Sequence, residues 1–111
     1  EGWNLPAFNA TCLGKWSIVL NCTSHKDWAT NENSILINPS GNMPVSDGMF
    51  FNEQQPFNQG TFYTWTEEEA VWAMEEAEEK VGQINTEGVK LGDNMTYSKT
   101  VDSILSLVFQ D

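Results

Sequence analysis

The stretch TEEEAVWAMEEAEEKVGQI, residues 66–84, constrains the fold more than any other part of the chain. Its glutamate, alanine, methionine and lysine residues are strong helix formers. Thr66 and Glu69 have the spacing of a capping box, and Gly82 lies where helices commonly end. The sequence therefore predicts one amphipathic helix near residues 67–82.

The predicted helix has two unlike faces. Winding it at about 100° per residue gathers one narrow apolar stripe: Ala70, Ala73, Met74, Ala77 and Val81. Trp72 falls on the far side among glutamates: Glu68, Glu75, Glu76 and Glu79. An alternative in which residues 71–74 form a strand would instead bury Trp72, and the sequence leaves it open.

Short apolar and aromatic runs typical of strands occur along the rest of the chain. These runs are 15–21, 33–37, 43–45, 61–65, 88–91, 95–100 and 104–109. The turn sequence NPSG at 38–41 would return 43–45 alongside 33–37, and Gly92-Asp93-Asn94 would close a hairpin. Residues 46–60 resemble a loop. We therefore expect a single domain over residues 1–111 that is mainly β (α+β), a small antiparallel barrel or sandwich with the one helix.

The charge balance limits the partners. Sixteen acidic residues face five lysines and no arginine, which gives a net charge of −11. Such a negative field repels nucleic acid and anionic lipid, and without arginine there is no bidentate grip on phosphate. We expect no nucleic-acid partner. No apolar run approaches the roughly 18 residues of a membrane helix, so we expect no membrane span.

Cys12 and Cys22 frame the segment CLGKWSIVLNC. In an unbroken strand, ten residues would separate them by roughly 33 Å, whereas a disulfide needs Cα atoms within about 7 Å. A continuous strand and a bridge therefore exclude each other. We favour two core-facing thiols on one apolar strand face, and the bridged alternative stays open.

Catalytic and metal chemistry find little support in the sequence. The single histidine, His25, lies in a polar stretch, and no cysteine or histidine pair has the spacing of a metal site. We predict no catalytic residues, no metal ligands and no cofactor. Glycosylation sequons at Asn9, Asn21 and Asn94 favour a secreted or periplasmic protein.

The segment AFNATCLGKWSIV, residues 7–19, resembles the start of the first strand of lipocalins and their calycin relatives. Phe8, Leu13, Gly14 and Trp16 carry the resemblance. It implies a β-barrel whose bottom is closed by Trp16. An apolar small molecule would then lie against inward residues of several strands: Trp16, Ile18, Leu20, Phe62 and Leu107.

Two functions of different classes follow. The first is a non-catalytic, calycin-like binding module for an apolar small ligand. The second is a protein-interaction module, an inhibitor or adaptor, that binds a basic protein through the acidic helix. Its contact residues would be Trp72 and the surrounding glutamates: Glu68, Glu75, Glu76 and Glu79.

Overall fold

The computed structural model of the chain describes residues 2–52, 54, 56 and 60–110. Of these residues, 45% are helical and 13% lie in strands, so the prediction of a mainly β fold is wrong. The elements follow in the order α1 (Leu5–Cys12), β1 (Ile18–Leu20), a 3₁₀ helix (Thr23–Asp27), β2 (Ile35–Ile37), β3 (Gly41–Pro44), β4 (Thr61–Thr64), α2 (Glu67–Glu79), α3 (Thr86–Asn94) and α4 (Tyr97–Val108). The predicted loop at 46–60 lies partly outside the described residues.

The strands form two separate sheets of two strands each. β1 pairs in parallel with β2, and β3 pairs antiparallel with β4. The described residues contain no closed barrel and no sandwich of sheets. The expected barrel, including its lipocalin-like form, is therefore wrong, and with it the cavity that such a barrel would enclose.

The parallel pair β1–β2 is the middle layer of the core. Val19 and Leu36 belong to the cluster that includes Trp28 and residues of α1 and α3. On the other face, Ile35 and Ile37 pack with Ala73 of α2. A parallel strand covered by helices on both faces is apolar at successive positions, which explains the continuous run ILI.

The segment between the two cysteines is not one strand. Cys12 is the last residue of α1, Gly14 turns the chain with a φ of +84°, and β1 begins at Ile18. Both thiols are free; Cys22 is buried and Cys12 is half-buried. The expectation of free thiols thus agrees with the structure, although the unbroken strand from which it was argued is wrong.

Helices α1 and α3 pack closely because α3 presents glycine to α1. A β-carbon on Gly88 would overlap the carbonyl oxygen of Thr11, and one on Gly92 would lie 2.9 Å from Cβ of Cys12. From the sequence alone, these glycines favour a turn or hairpin. In the structure they allow α1 and α3 to pack closely. The predicted strands at 88–91 and 95–100 are therefore wrong.

Asn85 joins three parts of the chain at the start of α3. Its side chain is fully buried. The Nδ2 group donates to the carbonyl oxygens of Lys15 at 3.0 Å and Asn33 at 2.7 Å, while Oδ1 accepts the N–H of Gly88 at 2.9 Å. One side chain therefore caps α3 and ties it to the segments that lead into β1 and β2.

Strands β3 and β4 form a hairpin. Met43 pairs with Phe62 in this ladder, and β3 does not pair with β2 as the NPSG turn predicted. All four residues of β3 are exposed, as are Thr61, Phe62 and Tyr63 of β4. The hairpin thus adds little to the buried core.

Helix α4 replaces the buried strand predicted at 104–109. Thr96 caps it, its hydroxyl oxygen accepting the N–H of Lys99 at 3.3 Å. No residue of α4 is buried. None of the helices in the described ranges has both the length and the hydrophobicity that a membrane span requires.

Candidate interaction surface

Helix α2 begins as the sequence predicts. The hydroxyl oxygen of Thr66 accepts the N–H of Glu69 at 3.2 Å, and the carboxylate of Glu69 accepts the N–H of Thr66 at 3.1 Å. This capping box and three glutamates in the first turn suit the positive end of the helix dipole. The strand alternative for residues 71–74 is therefore wrong.

The buried face of α2 is rotated from the predicted stripe. Ala73 is fully buried, whereas Met74 is 64% and Val81 80% exposed. At about 100° per residue, the contact centres on Ala73 instead of Ala77, a rotation of about 40°. The expected burial of Met74 and Val81 is thus wrong.

At the end of α2, Nζ of Lys80 lies 4.1 Å from the ring centroid of Trp16. A long cationic side chain covers this aromatic ring while its charged end stays near solvent. Trp16 lines a groove of about 480 Å³ between the turn after α1 and the end of α2.

The outward face of α2 brings together most of the predicted partner-binding residues. Trp72 is 48% exposed, as the sequence predicts. A shallow groove of about 470 Å³ beside it is lined by Glu67, Glu68, Val71 and Glu75. Glu79 is exposed on the same side, at helical spacing from Glu75, and Glu76 is half-buried. We call Glu68, Val71, Trp72, Glu75 and Glu79 the α2 outer face.

The glutamates of this face form no ion pair with the lysines that the structure describes. The one ion pair among the described residues joins Lys90 to Glu87 of α3, at 2.6 Å. The negative charge of the α2 outer face is therefore not neutralised by a lysine in the described part of the chain.

The residues predicted to line an apolar pocket lie in three different parts of the molecule. Trp16 and Leu20 pack against the core cluster under α2, and Ile18 is 38% exposed on β1. Phe62 is exposed on the hairpin, and Leu107 is exposed on α4. No barrel joins these elements around one cavity in the described ranges.

The sequence did not predict two apolar surfaces. On the hairpin, a groove of about 430 Å³ is lined by Met43, Phe62, Tyr63, Thr64 and Trp65. On α4, Tyr97, Val101, Ile104 and Val108 repeat at intervals of four, three and four residues. That spacing is a helical signal, but the β-branched and aromatic composition favoured a strand.

His25 and Cys12 are the side chains near β1 that could act in catalysis or metal binding, and both have structural surroundings. Nδ1 of His25 lies 2.8 Å from the carbonyl oxygen of Leu20, and Nε2 lies 3.0 Å from Nδ2 of Asn4. Burial raises the pKa of the Cys12 thiol. No group of three potential metal ligands occurs among the residues described.

Comparison with protein-family models, with curated proteins and with solved structures finds no match to the chain.

Proposed function

We propose that the chain is a protein-interaction module that binds a basic segment of another protein on the α2 outer face. The observation that carries this proposal is the exposed Trp72 beside a groove whose rim carries unpaired glutamates. Tryptophan is enriched among the residues that dominate binding energy, and a basic partner complements the surrounding charge.

The wider charge distribution favours the same class of partner. The net charge of −11 attracts cationic proteins over the distance set by salt screening, about 10 Å at 0.1 M ionic strength. Trp72 and Val71 then supply apolar contact once the partner has arrived. The charge accelerates the encounter, and the apolar contact slows dissociation.

A fluorescently labelled amphipathic helix of lysine and leucine serves as the probe. Binding measured by anisotropy should weaken about tenfold or more in Trp72→Ala. The triple variant E68Q/E75Q/E79Q should also weaken binding strongly. Raising the ionic strength from 0.1 to 1 M should reduce the affinity of the wild type, because the screening length falls to about 3 Å.

The matched control removes the same charge elsewhere. The variant E32Q/D93N/D102N changes three exposed acidic residues outside α2. If both triple variants weakened the probe equally, binding would reflect net charge alone and the proposal would fail. It would also fail if Trp72→Ala bound like the wild type.

A further inference from the structure

The groove between the turn after α1 and the end of α2 has a charge opposite to that of the chain as a whole. Its volume of about 480 Å³ lies within the range of small-molecule sites, about 300–1,000 Å³. Lys15 and Lys80 line it, and no acidic residue of the described chain does. Because the chain carries sixteen acidic residues and five lysines, this lining is a local reversal of charge.

The two lysines of the groove are not paired with carboxylates. The one salt bridge in the described part of the chain, Lys90 with Glu87, belongs to α3. Glu76 lies four residues before Lys80, the spacing at which glutamate and lysine pair along a helix. Nζ of Lys80 lies instead over the ring of Trp16, which also lines the groove. The charge of Lys80 is therefore held at the groove without a carboxylate partner.

The rest of the lining is largely apolar. Leu13, Val81 and Ile84 line the groove and are 79%, 80% and 74% exposed. Trp16 and Ala77 belong to the same lining. Apolar surface beside two ammonium groups complements a molecule that has an apolar body and one negative end.

The surroundings of the groove limit the charge of its occupant. A neutral apolar molecule leaves both lysines unpaired, and a cation is repelled by them. A multiply charged anion is attracted by the lysines, but the net charge of −11 and the negative end of the α2 dipole oppose each added charge. A monoanion meets this repulsion once, and its apolar body adds contact that the field does not weaken. At about 0.15 M ionic strength, screening over about 8 Å weakens the distant acidic residues more than the adjacent lysines.

We propose that the groove binds a monocarboxylate with an apolar body, such as a medium-chain fatty acid. Its carboxylate interacts with Lys15 and Lys80, and its hydrocarbon chain packs against Trp16, Val81 and Ile84. Of the five residues that the sequence predicts for an apolar pocket, Trp16 alone lines this groove. The groove shares no residue with the α2 outer face, so this site is independent of the proposed function.

Sodium octanoate is the probe, and 1-octanol is its neutral counterpart. In two-dimensional NMR spectra of the isotope-labelled chain, octanoate should shift the amide resonances of Gly14, Lys15, Gly82 and Ile84 to saturation. Binding of 1-octanol at these amides should be about tenfold or more weaker. Amides of α4 and of the β3–β4 hairpin are the internal control, because their exposed apolar side chains would bind an amphiphile by hydrophobic contact alone.

Substitution of the lysines tests the role of charge. K15Q/K80Q should lower the affinity for octanoate about tenfold or more. The matched control, K26Q/K99Q, removes the same charge outside the groove and should bind within about twofold of the wild type. Val81→Glu places a carboxylate in the groove at an exposed position and should also weaken binding strongly. Far-UV circular dichroism checks that each variant is folded.

Three results would overturn the proposal. The first is a wild type whose groove amides do not saturate, or saturate no earlier than those of α4. The second is an equal loss of affinity in the two lysine variants, which would reflect net charge alone. The third is equal affinity for octanoate and 1-octanol. The lysine–leucine probe should bind K15Q/K80Q at least as tightly as it binds the wild type, which separates this test from that of the proposed function.

Discussion

Asn85 stabilises the fold at a single buried point, and the effect of its removal can be measured. Asn85→Ala deletes the cap of α3 and leaves the carbonyl oxygens of Lys15 and Asn33 without this donor. We expect a loss of about 2 to 4 kcal/mol in the free energy of unfolding, measured by urea denaturation. Asn38→Ala removes one exposed hydrogen bond to Asn21 and should cost less than about 0.5 kcal/mol. Equal effects would contradict the role of Asn85.

Gly88 should behave unlike an ordinary helical glycine. Replacing glycine by alanine inside a helix normally stabilises it by up to about 1 kcal/mol. At Gly88 the new β-carbon meets the backbone oxygen of Thr11, so Gly88→Ala should destabilise the protein by about 1 to 3 kcal/mol. Asp93→Ala, at an exposed position of the same helix, should change stability by less than about 0.5 kcal/mol. Stabilisation by Gly88→Ala would show that α1 and α3 are not in close contact.

Asp47 gives the loop after β3 a defined pH dependence. Its Oδ1 accepts the N–H groups of Met49, Phe50 and Phe51, each at 2.9 Å. These hydrogen bonds, that of Phe51 foremost, hold the pKa of the carboxyl below its ordinary value of 3.8. The charged form stabilises the loop above that value, and the effect is lost as pH falls through the lowered pKa.

An NMR titration of the Asp47 side-chain carboxyl tests this expectation. The three amide resonances should shift with the same midpoint, below 3.8, and the shifts should disappear in Asp47→Asn. A midpoint at or above 3.8 would contradict the hydrogen-bonded loop.

At the scale of elements, the sequence predicts best where a local signal and the tertiary environment agree. The capping box at Thr66 is local chemistry, and α2 begins there. The apolar runs that became β1, β2 and β4 were also recognisable, within a few residues at each end. The pairing of these strands could not be predicted. The sequence of a parallel pair that is buried on both faces is the same as that of any short apolar run.

The errors at α3 and α4 have a common physical origin. Glycine has a low intrinsic helix propensity, and tertiary contact with α1 overrides it at Gly88 and Gly92. In α4, valine, isoleucine and tyrosine have strand propensity, yet the cap at Thr96 starts a helix, as the cap at Asn85 does for α3. Of the candidate site, Trp72 and its glutamates were predictable from helical periodicity. The hairpin groove and the exposed apolar side chains of α4 were not, because they depend on what the core leaves exposed.

The rotation of α2 can be tested by two neighbouring substitutions. Ala73 is fully buried against β2, whereas Met74 is largely exposed, although the sequence places both on the apolar stripe. Ala73→Asp buries a carboxylate and should cost about 3 kcal/mol or more. Met74→Asp should cost less than about 1 kcal/mol. Urea denaturation compares the stabilities of the two variants directly. Similar losses of stability would support the apolar stripe that the sequence predicted and would contradict the rotation.

At the scale of the whole molecule, stability is unevenly distributed. The core consists of α1, α3, β1, β2 and one face of α2, while the β3–β4 hairpin and α4 leave most of their apolar side chains in solvent. The extents of 48 × 46 × 21 Å reflect this flat arrangement. Regions with few buried apolar contacts open at low free energy, so they exchange amide hydrogens faster than the core.

Hydrogen exchange therefore tests this division of the molecule. Amides of α1, α3, β1 and β2 should be protected, whereas those of β3, β4 and α4 should exchange quickly, because no residue of α4 or β3 is buried. Protection of α4 equal to that of α1 and α3 would mean that its apolar side chains are covered in solution, and the uneven distribution of stability would then be wrong.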